Sequence, residues 1–303
     1  MLNFRFTLAG LALAALMLPS ALQAHEVSHA MGITDVPDNP QRVVVLTNEG
    51  TEAVLALGIT PVGAVRSWLG DPWYDHIAEA MADVMVLGEE SAVNLELLAA
   101  LEPDLILANM SRQEGIYEQL SAIAPTVVSE RLRGDWRINF TLYAEALGKS
   151  EDGAAVLARY DARIADLSEA LGESLEEEIS LARFMSGQTR MYYNDTFAGL
   201  ALRQLGFARP QTQDKEEFAD AITKERIPEL EGDRLFYYVY ETGNDEGNAQ
   251  AQDWLNDPLW LALDVVKNGN VHPVSDAIWN TAGGVIAANL MLDDIASIYG
   301  VQD

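Results

Sequence analysis

One short segment of the chain combines a cation with several aromatic side chains. In AVRSWLGDPWYDH, residues 64–76, Arg66 is followed by Trp68, Trp73 and Tyr74, directly after a short apolar run. A guanidinium group binds carboxylates through a planar pair of hydrogen bonds, and aromatic rings provide flat apolar walls. The segment therefore has the chemistry to bind an anionic ligand with an organic skeleton.

Further residues of these types follow or lie within predicted strands elsewhere in the chain. They are Asn48, Arg112, Arg131, Arg183, Tyr192, Tyr240, Trp279 and Asn280. Ligands of open parallel sheets bind beyond the carboxyl ends of the strands, so we expect most of these side chains along one rim. Arg183 and Tyr192 fall inside strands, where alternation does not decide which way they face. The alternative is that each arginine in a loop forms an ion pair on the surface, and that each aromatic side chain in a loop packs against the rest of the protein.

The chain is strongly acidic, with 47 Asp and Glu residues against 19 Lys and Arg and a formal net charge of −28. Nucleic acid and anionic lipid surfaces are bound mainly through excess positive charge, so we expect neither as a partner. The acidity is typical of a solvated surface in a salty medium. Fifteen of the cations are arginine, a preference that salt adaptation and carboxylate recognition explain equally well.

The sequence has no motif for catalysis or for direct metal binding. It has no His-Glu-x-x-His, Gly-x-Ser-x-Gly or Walker pattern, and its histidines are His25, His29, His76 and His272 only. His25 and His29 are expected in a disordered terminus with at most weak adventitious metal binding. We predict a protein that is not an enzyme and has neither a metal site nor a cofactor. Haem ligation by one Tyr or His leaves no spacing signature and stays open.

The first 24 residues have the features of a secretory signal peptide. Arg5 precedes an apolar stretch at 8–18, and Ala-Leu-Gln-Ala ends at Ala24. The chain has no cysteine, and therefore no disulfide and no site for a lipid anchor after the signal. We expect the signal to be cleaved and the mature protein to diffuse in the periplasm as a monomer.

Short apolar runs alternate with helical patterns on both sides of a long helical stretch. This alternation predicts parallel sheets covered by helices. We predict an N-terminal α/β lobe at 25–135, a linking helix at 136–171 and a C-terminal α/β lobe at 172–303. The linking stretch contains Gly148 and Gly153, so it is either two helices in line or one connecting rod.

Two segments, ELLAALEPDLIL and ERIPELEGDRLF, align without a gap between the two halves. In this alignment Glu96 matches Glu225 and Asp104 matches Asp233. Both glutamates are placed at helix starts, where a carboxylate interacts favourably with the helix dipole. Their equivalent positions also fit a second role, in which the two glutamates, one from each half of the chain, dock on a partner with two-fold symmetry. The repeat predicts two lobes of similar design with a ligand cleft between them.

The chain resembles the substrate-binding proteins of iron–siderophore ABC importers over nearly all of its mature length. The resemblance is carried by RVVVLTNEGTEAVLALGITPVGAV, NLELLAALEPDLILAN, ERIPELEGDRLFYYVY and NDPLWLALDVVKNGNVHPVSDAIWNTAGGVIAANLMLDD. It implies a class III periplasmic binding protein, with two α/β lobes joined by a long rigid helix and a shallow cleft. It also implies that Glu96 and Glu225 dock on a dimeric ABC permease in the inner membrane.

The segments DPWYDH, LRGDW and WNTAGG are similar to the branch that binds citrate-derived siderophores of the vibrioferrin, schizokinen or staphyloferrin B types. Such a ferric complex is anionic, and Fe(III) enters only as part of the ligand. Our hypothesis assigns ionic contacts to Arg66, Arg112, Arg131 and Arg183, hydrogen bonds to Asn48 and Asn280, and apolar walls to Trp68, Tyr192, Tyr240 and Trp279. Haem, cobalamin and hydroxamate-siderophore carriers share the fold and are the alternatives.

Overall fold

The computed structural model describes residues 24–134 and 136–301. The predicted signal peptide therefore lies outside the described residues, apart from Ala24. The chain forms two five-stranded sheets. In the sequence, one sheet comes before the central helical region and the other after it. This arrangement confirms the predicted α/β class with two lobes.

The N-terminal lobe is built on a fully parallel sheet. Its strands and those of two hairpins are β1 (Ala24–His29), β2 (Gly32–Pro37), β3 (Val43–Val45), β4 (Gly63–Ala64), β5 (Met85–Val86), β6 (Gly88–Glu89), β7 (Ala92–Val93), β8 (Leu105–Asn109) and β9 (Thr126–Ser129). Its helices are α1 (Asn48–Ala56), α2 (Leu95–Ala100), α3 (Met110–Gln113) and α4 (Tyr117–Ile123). The sheet order is β5-β4-β3-β8-β9, and β1–β2 and β6–β7 are antiparallel hairpins.

Two helices, α5 (Trp136–Ala146) and α6 (Ser150–Leu171), lead to the C-terminal lobe. Its strands are β10 (Ile179–Met185), β11 (Gln188–Tyr192), β12 (Ala219–Ile222), β13 (Arg234–Val239) and β14 (Val271–Val274). Its helices are α7 (Phe197–Leu205), α8 (Glu246–Leu255), α9 (Pro258–Ala262), α10 (Asp264–Lys267) and α11 (Val285–Tyr299). The lobe also has 3-10 helices at Gly172–Glu176 and Lys224–Leu230 and a π-helical turn at Ala277–Thr281.

The second sheet has the order β12-β11-β10-β13-β14, so it is only partly parallel. Strands β10, β13 and β14 are parallel, whereas β11 and β12 are antiparallel to their neighbours. The reversal occurs at a two-residue turn, Ser186 and Gly187, where Met185 pairs with Gln188 and Gly187 has φ +64°. Such short turns join antiparallel strands only.

The region predicted as one linking helix contains two helices that pack side by side. The chain turns at Gly148, which has φ +65°. A Cβ atom on Gly153 of α6 would lie 2.6 Å from the Cβ of Ala144 in α5. This closeness shows that the helices are not in line and corrects the expectation of a single helix across 136–171.

We expect Gly153→Val to destabilise the protein by about 1–3 kcal/mol, since overpacking forces the two helices apart. The free energy of unfolding from urea titration measures the effect. Ala154→Val is the matched control, because Ala154 is exposed on the same helix. Equal stability of the two variants would contradict the close α5–α6 contact.

A single apolar core runs through both lobes. It joins Val45 of β3 with Leu181 of β10 by way of buried residues on α5, α6 and α11. Two further clusters cover the opposite face of each sheet. An ion pair with 2.6 Å between Arg163 Nη2 and Asp293 Oδ1 also ties α6 to α11. The lobes therefore share buried structure instead of being joined by a flexible linker.

The internal repeat of the sequence is visible in the structure. Asp104 accepts hydrogen bonds from the backbone amides of Gln41 and Arg42, just before β3. Asp233 accepts one from the amide of Glu178, just before β10. Leu98 and Ile227 are both fully buried. The repeat therefore encodes the same junction between a helix and the central strand in each lobe.

The amino-terminal histidines are ordered, contrary to prediction. Both lie in β1, where His25 bonds Asp38 through Nδ1 and the carbonyl of Glu145 through Nε2, each at 3.0 Å. His29 Nε2 lies 2.8 Å from Thr34 Oγ1.

Among the described residues, no helix has the length and apolarity needed to cross a membrane.

Candidate functional site

A cavity of about 770 Å³ lies between the two lobes, a volume typical of small-ligand sites. Its lining residues from the N-terminal lobe are Glu49, Trp68, Glu90, Ser111, Arg112, Arg131, Leu132 and Arg133. Those from the C-terminal lobe are Arg183, Met185, Arg190, Phe197, Phe218, Tyr240, Asn280, Thr281, Ala282 and Gly283. An adjoining cavity of about 510 Å³ contains Arg66 and shares Trp68, Glu90 and Tyr240. We call the two cavities together the cleft.

The charge of the larger cavity is opposite to that of the whole protein. Five of its lining residues are arginine and two are glutamate, which gives a formal balance of +3, whereas the chain carries −28. Cationic groups collected in a low-dielectric cleft focus the potential that an anion experiences there. The larger cavity is therefore a place on this acidic protein where an anionic ligand is favoured.

Helix caps fix the loops that carry the N-terminal wall. The Thr47 hydroxyl accepts a hydrogen bond from Gly50 N at 3.0 Å and begins α1. The Asn109 side chain accepts one from Ser111 N at 2.9 Å and begins α3. Capping satisfies amides that a helix leaves unpaired in its first turn. Both polar residues that follow strands β3 and β8 thus have a structural role.

Arg112 is held on the N-terminal wall by a buried carboxylate. Its Nε donates to Glu90 Oε2 at 3.0 Å, and its guanidinium carbon lies 5.8 Å from the centre of the Trp68 ring. Asn48 donates to Glu90 Oε1 from its backbone and its side chain, both at 2.8 Å. The terminal nitrogens of Arg112 make no hydrogen bond to a described residue, so they are available to a ligand.

Arg183 is the most buried arginine of the cleft, with 7% of its surface exposed. It donates to both carboxylate oxygens of Asp276, at 2.6 and 3.0 Å, and to Tyr192 Oη at 3.3 Å. With its side-chain amide oriented so that Oδ1 faces the guanidinium, Asn280 accepts from both terminal nitrogens at 3.2 and 3.3 Å. The guanidinium of Arg183 lies 4.8 Å from the Tyr240 ring centre. Burial lowers the pKa of Arg183, but the Asp276 carboxylate more than offsets this and leaves the pKa above its ordinary value.

A carboxylate of one lobe pairs with arginines of the other at the cleft. Asp195, which follows β11, accepts from Arg131 Nη1 and Nη2 at 2.9 and 3.0 Å. Arg133 Nη1 lies 3.5 Å from the same carboxylate, and its guanidinium lies 4.8 Å from the centre of the Phe218 ring. The Arg131 contact is the two-pronged geometry that arginine forms with carboxylates. A ligand carboxylate that enters the cleft therefore finds Arg131 already paired with Asp195.

Arg190 of β11 lines the cleft but was not among the predicted site residues. Its Nε donates to Gln188 Oε1 at 3.0 Å. None of the described carboxylates lies within ion-pairing distance of it, in contrast to Arg112 and Arg183. Its charge is therefore the least neutralised of those around the cavity. Its position in an antiparallel strand, which periodicity did not reveal, explains why it was missed.

Seven of the ten predicted ligand-binding residues line the cleft: Arg66, Trp68, Arg112, Arg131, Arg183, Tyr240 and Asn280. The other three lie behind its surface. Asn48 is 3% exposed and supports Glu90. Tyr192 and Trp279 have no exposed surface; Tyr192 supports Arg183, and Trp279 Nε1 donates to Asp294 at 2.8 Å. The expectation that these three contact the ligand directly is therefore corrected.

The first aromatic segment divides between the cleft and the core. Arg66 and Trp68 reach the cleft, whereas Trp73 and Tyr74 are 5% and 1% exposed. Residues missed by sequence reasoning include Phe197 and Phe218, which extend the aromatic lining. Phe197 is the first residue of α7 and Phe218 directly precedes β12, so neither lies in the loop positions just after a strand that the sequence reasoning considered.

A partly buried cation, Arg209, lies beneath the C-terminal wall. Arg209 donates to the carbonyl of Tyr192 at 2.7 Å and to Gln213 Oε1 at 3.1 Å. Burial lowers the pKa of Arg209 to about 10, so the guanidinium stays charged at neutral pH. It therefore adds positive potential under the residues that support Arg183.

The cleft offers few ligands for a bare metal ion. Within the described ranges, 24–134 and 136–301, no three His, Cys, Asp or Glu side chains are grouped so that they could hold a metal. The chemistry of the lining is that of ion pairing, hydrogen bonding and aromatic contact. Such a surface suits a complete anionic molecule.

Comparisons with known proteins identify the family of the chain. The profile of the periplasmic binding protein family matches residues 43–275. A probable siderophore-binding lipoprotein of Bacillus subtilis, YfiY, is 49% identical over 92% of this chain and 89% of its own length. An Fe(3+)-citrate-binding protein of the same organism, YfmC, is 31% identical over 87% of this chain and 82% of its own length.

A solved structure gives the same result for the fold. The crystal structure of Staphylococcus aureus SirA complexed with staphyloferrin B has a TM-score of 0.84, with 30% sequence identity, and covers 92% of this chain and 99% of that one. These relatives are binding proteins, in agreement with the prediction that the chain is not an enzyme. The resemblance inferred from the sequence is confirmed: the chain belongs to the periplasmic binding protein family.

Proposed function

We propose that the protein captures a ferric siderophore of the citrate-derived carboxylate type in the cleft and delivers it to an ABC permease. The observation that carries the proposal is the set of five arginines around one cavity, contributed by both lobes of a chain with net charge −28. Arginine is the cation that recognises carboxylates by shape as well as by charge. The named ligands of YfmC and SirA, Fe(3+)-citrate and staphyloferrin B, support the same class.

The cleft divides recognition between ionic and apolar contacts. The terminal nitrogens of Arg112 and Arg190, which make no hydrogen bond to the described residues, would pair with carboxylate or hydroxy-carboxylate oxygens from opposite walls. Trp68 and Tyr240 would contact the carbon skeleton between them. The iron is cargo: the chelator supplies its ligands, and the protein binds no metal and no cofactor of its own.

Ligand binding by the purified protein tests the proposal. Tryptophan fluorescence is titrated with ferric complexes of citrate, a citrate-based carboxylate siderophore, a trihydroxamate and a catecholate, and with haemin. We expect saturable quenching at submicromolar concentration by the carboxylate siderophore, because Trp68 lines the cleft. Binding of haemin or the trihydroxamate alone would replace the proposal with one of the alternative carriers of this fold.

We expect Arg112→Ala to weaken binding of the ferric carboxylate complex by about 1.5–3 kcal/mol, the worth of a charged hydrogen bond. The dissociation constant at low salt measures this loss. Arg203→Ala is the matched control. Arg203 lies on α7, pairs with Glu216 and does not line the cleft. An affinity equal to that of the wild type would remove Arg112 from the site.

Delivery requires a surface that the permease recognises. Glu96 lies in the first turn of α2 and Glu225 in the first turn of the 3-10 helix at Lys224–Leu230, and both are exposed. The Thr223 hydroxyl lowers the pKa of Glu225, which favours its charged form. We propose that these glutamates dock on the two halves of a dimeric inner-membrane permease, one from each lobe, and that the protein acts as a periplasmic monomer.

A further inference from the structure

Glu52 is a carboxylate with no exposed surface that lies where the two lobes meet. It belongs to α1 of the N-terminal lobe. Its Oε2 accepts a hydrogen bond at 2.9 Å from the backbone amide of Ala287, in the first turn of α11. Its Oε1 lies 2.6 Å from His76 Nε2. A buried carboxylate needs such partners to be tolerated, and here they come from different parts of the chain.

The three segments that meet at Glu52 each lead directly to the cleft. Glu49, three residues before Glu52 on α1, lines the cavity. His76 ends the segment that carries Trp68, and its ring stacks on the buried Tyr74 with 5.5 Å between centroids. The turn from Asn280 to Gly283 lines the C-terminal wall and runs into α11. Glu52 therefore connects both walls.

Helix α11 transmits this contact to the C-terminal lobe. At its far end the Tyr299 hydroxyl accepts a hydrogen bond from Arg234 Nε of β13 at 2.9 Å. At its beginning the amide of Ala287 is one of the first-turn donors that a helix cannot satisfy internally. Glu52 satisfies this donor from the opposite lobe. The start of α11 is thus fixed to the N-terminal lobe, whereas its end is fixed to the C-terminal lobe.

Gly284 permits the close approach. A Cβ atom at this position would lie 2.6 Å from both the Cβ and the Oε2 of Glu52, and 3.1 Å from the carbonyl oxygen of Glu49. Any side chain would push the first turn of α11 away from α1. The His76 of DPWYDH and the second glycine of WNTAGG, neither of which lines the cleft, are both explained by this junction.

We propose that Glu52 is a positioning residue that sets the separation of the two cleft walls through His76 and α11. The ligand-binding arginines lie on both walls, so their spacing depends on this junction. Removing the Glu52 carboxylate frees the start of α11 and the segment that carries Trp68. The lobes then sample a wider range of separations. The effect on ligand affinity rests on the proposed function, but the effect on lobe separation does not.

Distance measurement by pulsed electron paramagnetic resonance tests the proposal directly. The chain has no cysteine, so Gln119→Cys on α4 and Ala249→Cys on α8, both exposed, give one spin label in each lobe. We expect a narrow distance distribution for the doubly labelled parent and a broader one for Glu52→Ala. Glu52→Gln retains an acceptor for the Ala287 amide and should restore the narrow distribution. Glu79→Ala, at an exposed acid after the same segment, is the control.

Gly284→Ala provides an independent route to the same result, because it separates α11 from Glu52 without removing the carboxylate. If circular dichroism shows that Glu52→Ala does not fold, the distance distribution of Gly284→Ala tests the proposal alone. Broader distributions accompanied by about tenfold weaker ferric-ligand binding, about 1.4 kcal/mol, would support the proposal. Folded Glu52→Ala and Gly284→Ala proteins with the parent distribution would overturn it, whatever ligand the cleft binds.

Discussion

Arg183→Met is expected to destabilise the protein by about 3–5 kcal/mol and to abolish binding of the ferric carboxylate complex. Asp276 is 3% exposed and has both carboxylate oxygens bonded to Arg183. Without the guanidinium, a buried charge is left without its partner. Urea titration gives the loss in free energy of unfolding, and fluorescence titration below the unfolding transition gives the loss of binding.

A double variant separates the two effects. Arg183→Met combined with Asp276→Leu replaces the buried ion pair by apolar groups, an exchange that is often neutral for stability or stabilising. We expect stability to recover and ligand binding to remain lost, because Arg183, one of the two cations on the C-terminal wall, is still missing. Recovery of binding together with stability would show that Arg183 supports the fold only and does not contact the ligand.

The Glu96→Ala and Glu225→Ala double variant is expected to lose iron uptake while retaining ligand affinity. Each glutamate is exposed, and neither lines the cleft. A loss of about 1.4 kcal/mol at each docking contact lowers the affinity for the permease about tenfold per site. Uptake of radiolabelled ferric siderophore is measured in cells that lack their own binding protein.

Glu118→Ala combined with Glu173→Ala is the matched control for docking, because it removes one exposed acid from each half of the chain. It alters net charge by the same amount and should leave uptake unchanged. Normal uptake by the Glu96 and Glu225 variant would contradict the docking assignment. Equal losses in both double variants would show that net charge matters, and not these two positions.

Most parallel strands were predictable because they are short runs rich in apolar residues. Ile179–Met185, which forms β10, and Val271–Val274, which forms β14, are runs of this kind. Strand β11 was also predicted, but its direction was not. A two-residue turn at Ser186 and Gly187 reverses the chain there, and hydrophobic alternation carries no information on strand direction.

The residues of the site were predictable where they come shortly after a strand that ends at the cleft. Arg66 and Arg112 follow this rule and line the cavities. Trp279 obeys the same pattern and Tyr192 ends strand β11, but both are fully buried. An aromatic ring with a polar group packs in a core or at a surface with equal ease when its polar atom finds a partner. Only tertiary contacts decide between the two.

The supporting carboxylates could not be identified from the sequence. Glu90, Asp195 and Asp276 hold arginines of the cleft, yet they lie among 47 acidic residues with no distinguishing spacing. The acidity of the chain therefore conceals the carboxylates that orient the ligand-binding cations. Their role depends on the pairing of distant segments, which the fold alone establishes.

Anomalous diffraction at the iron absorption edge, from crystals of the protein grown with a ferric carboxylate siderophore, tests the central claim most directly. We expect one iron peak inside the cleft, between the walls that carry Arg112 and Arg183, with every iron ligand supplied by the chelator. An iron peak outside the cleft, or a Tyr240 oxygen within bonding distance of the metal, would contradict binding of an intact anionic complex by the arginines.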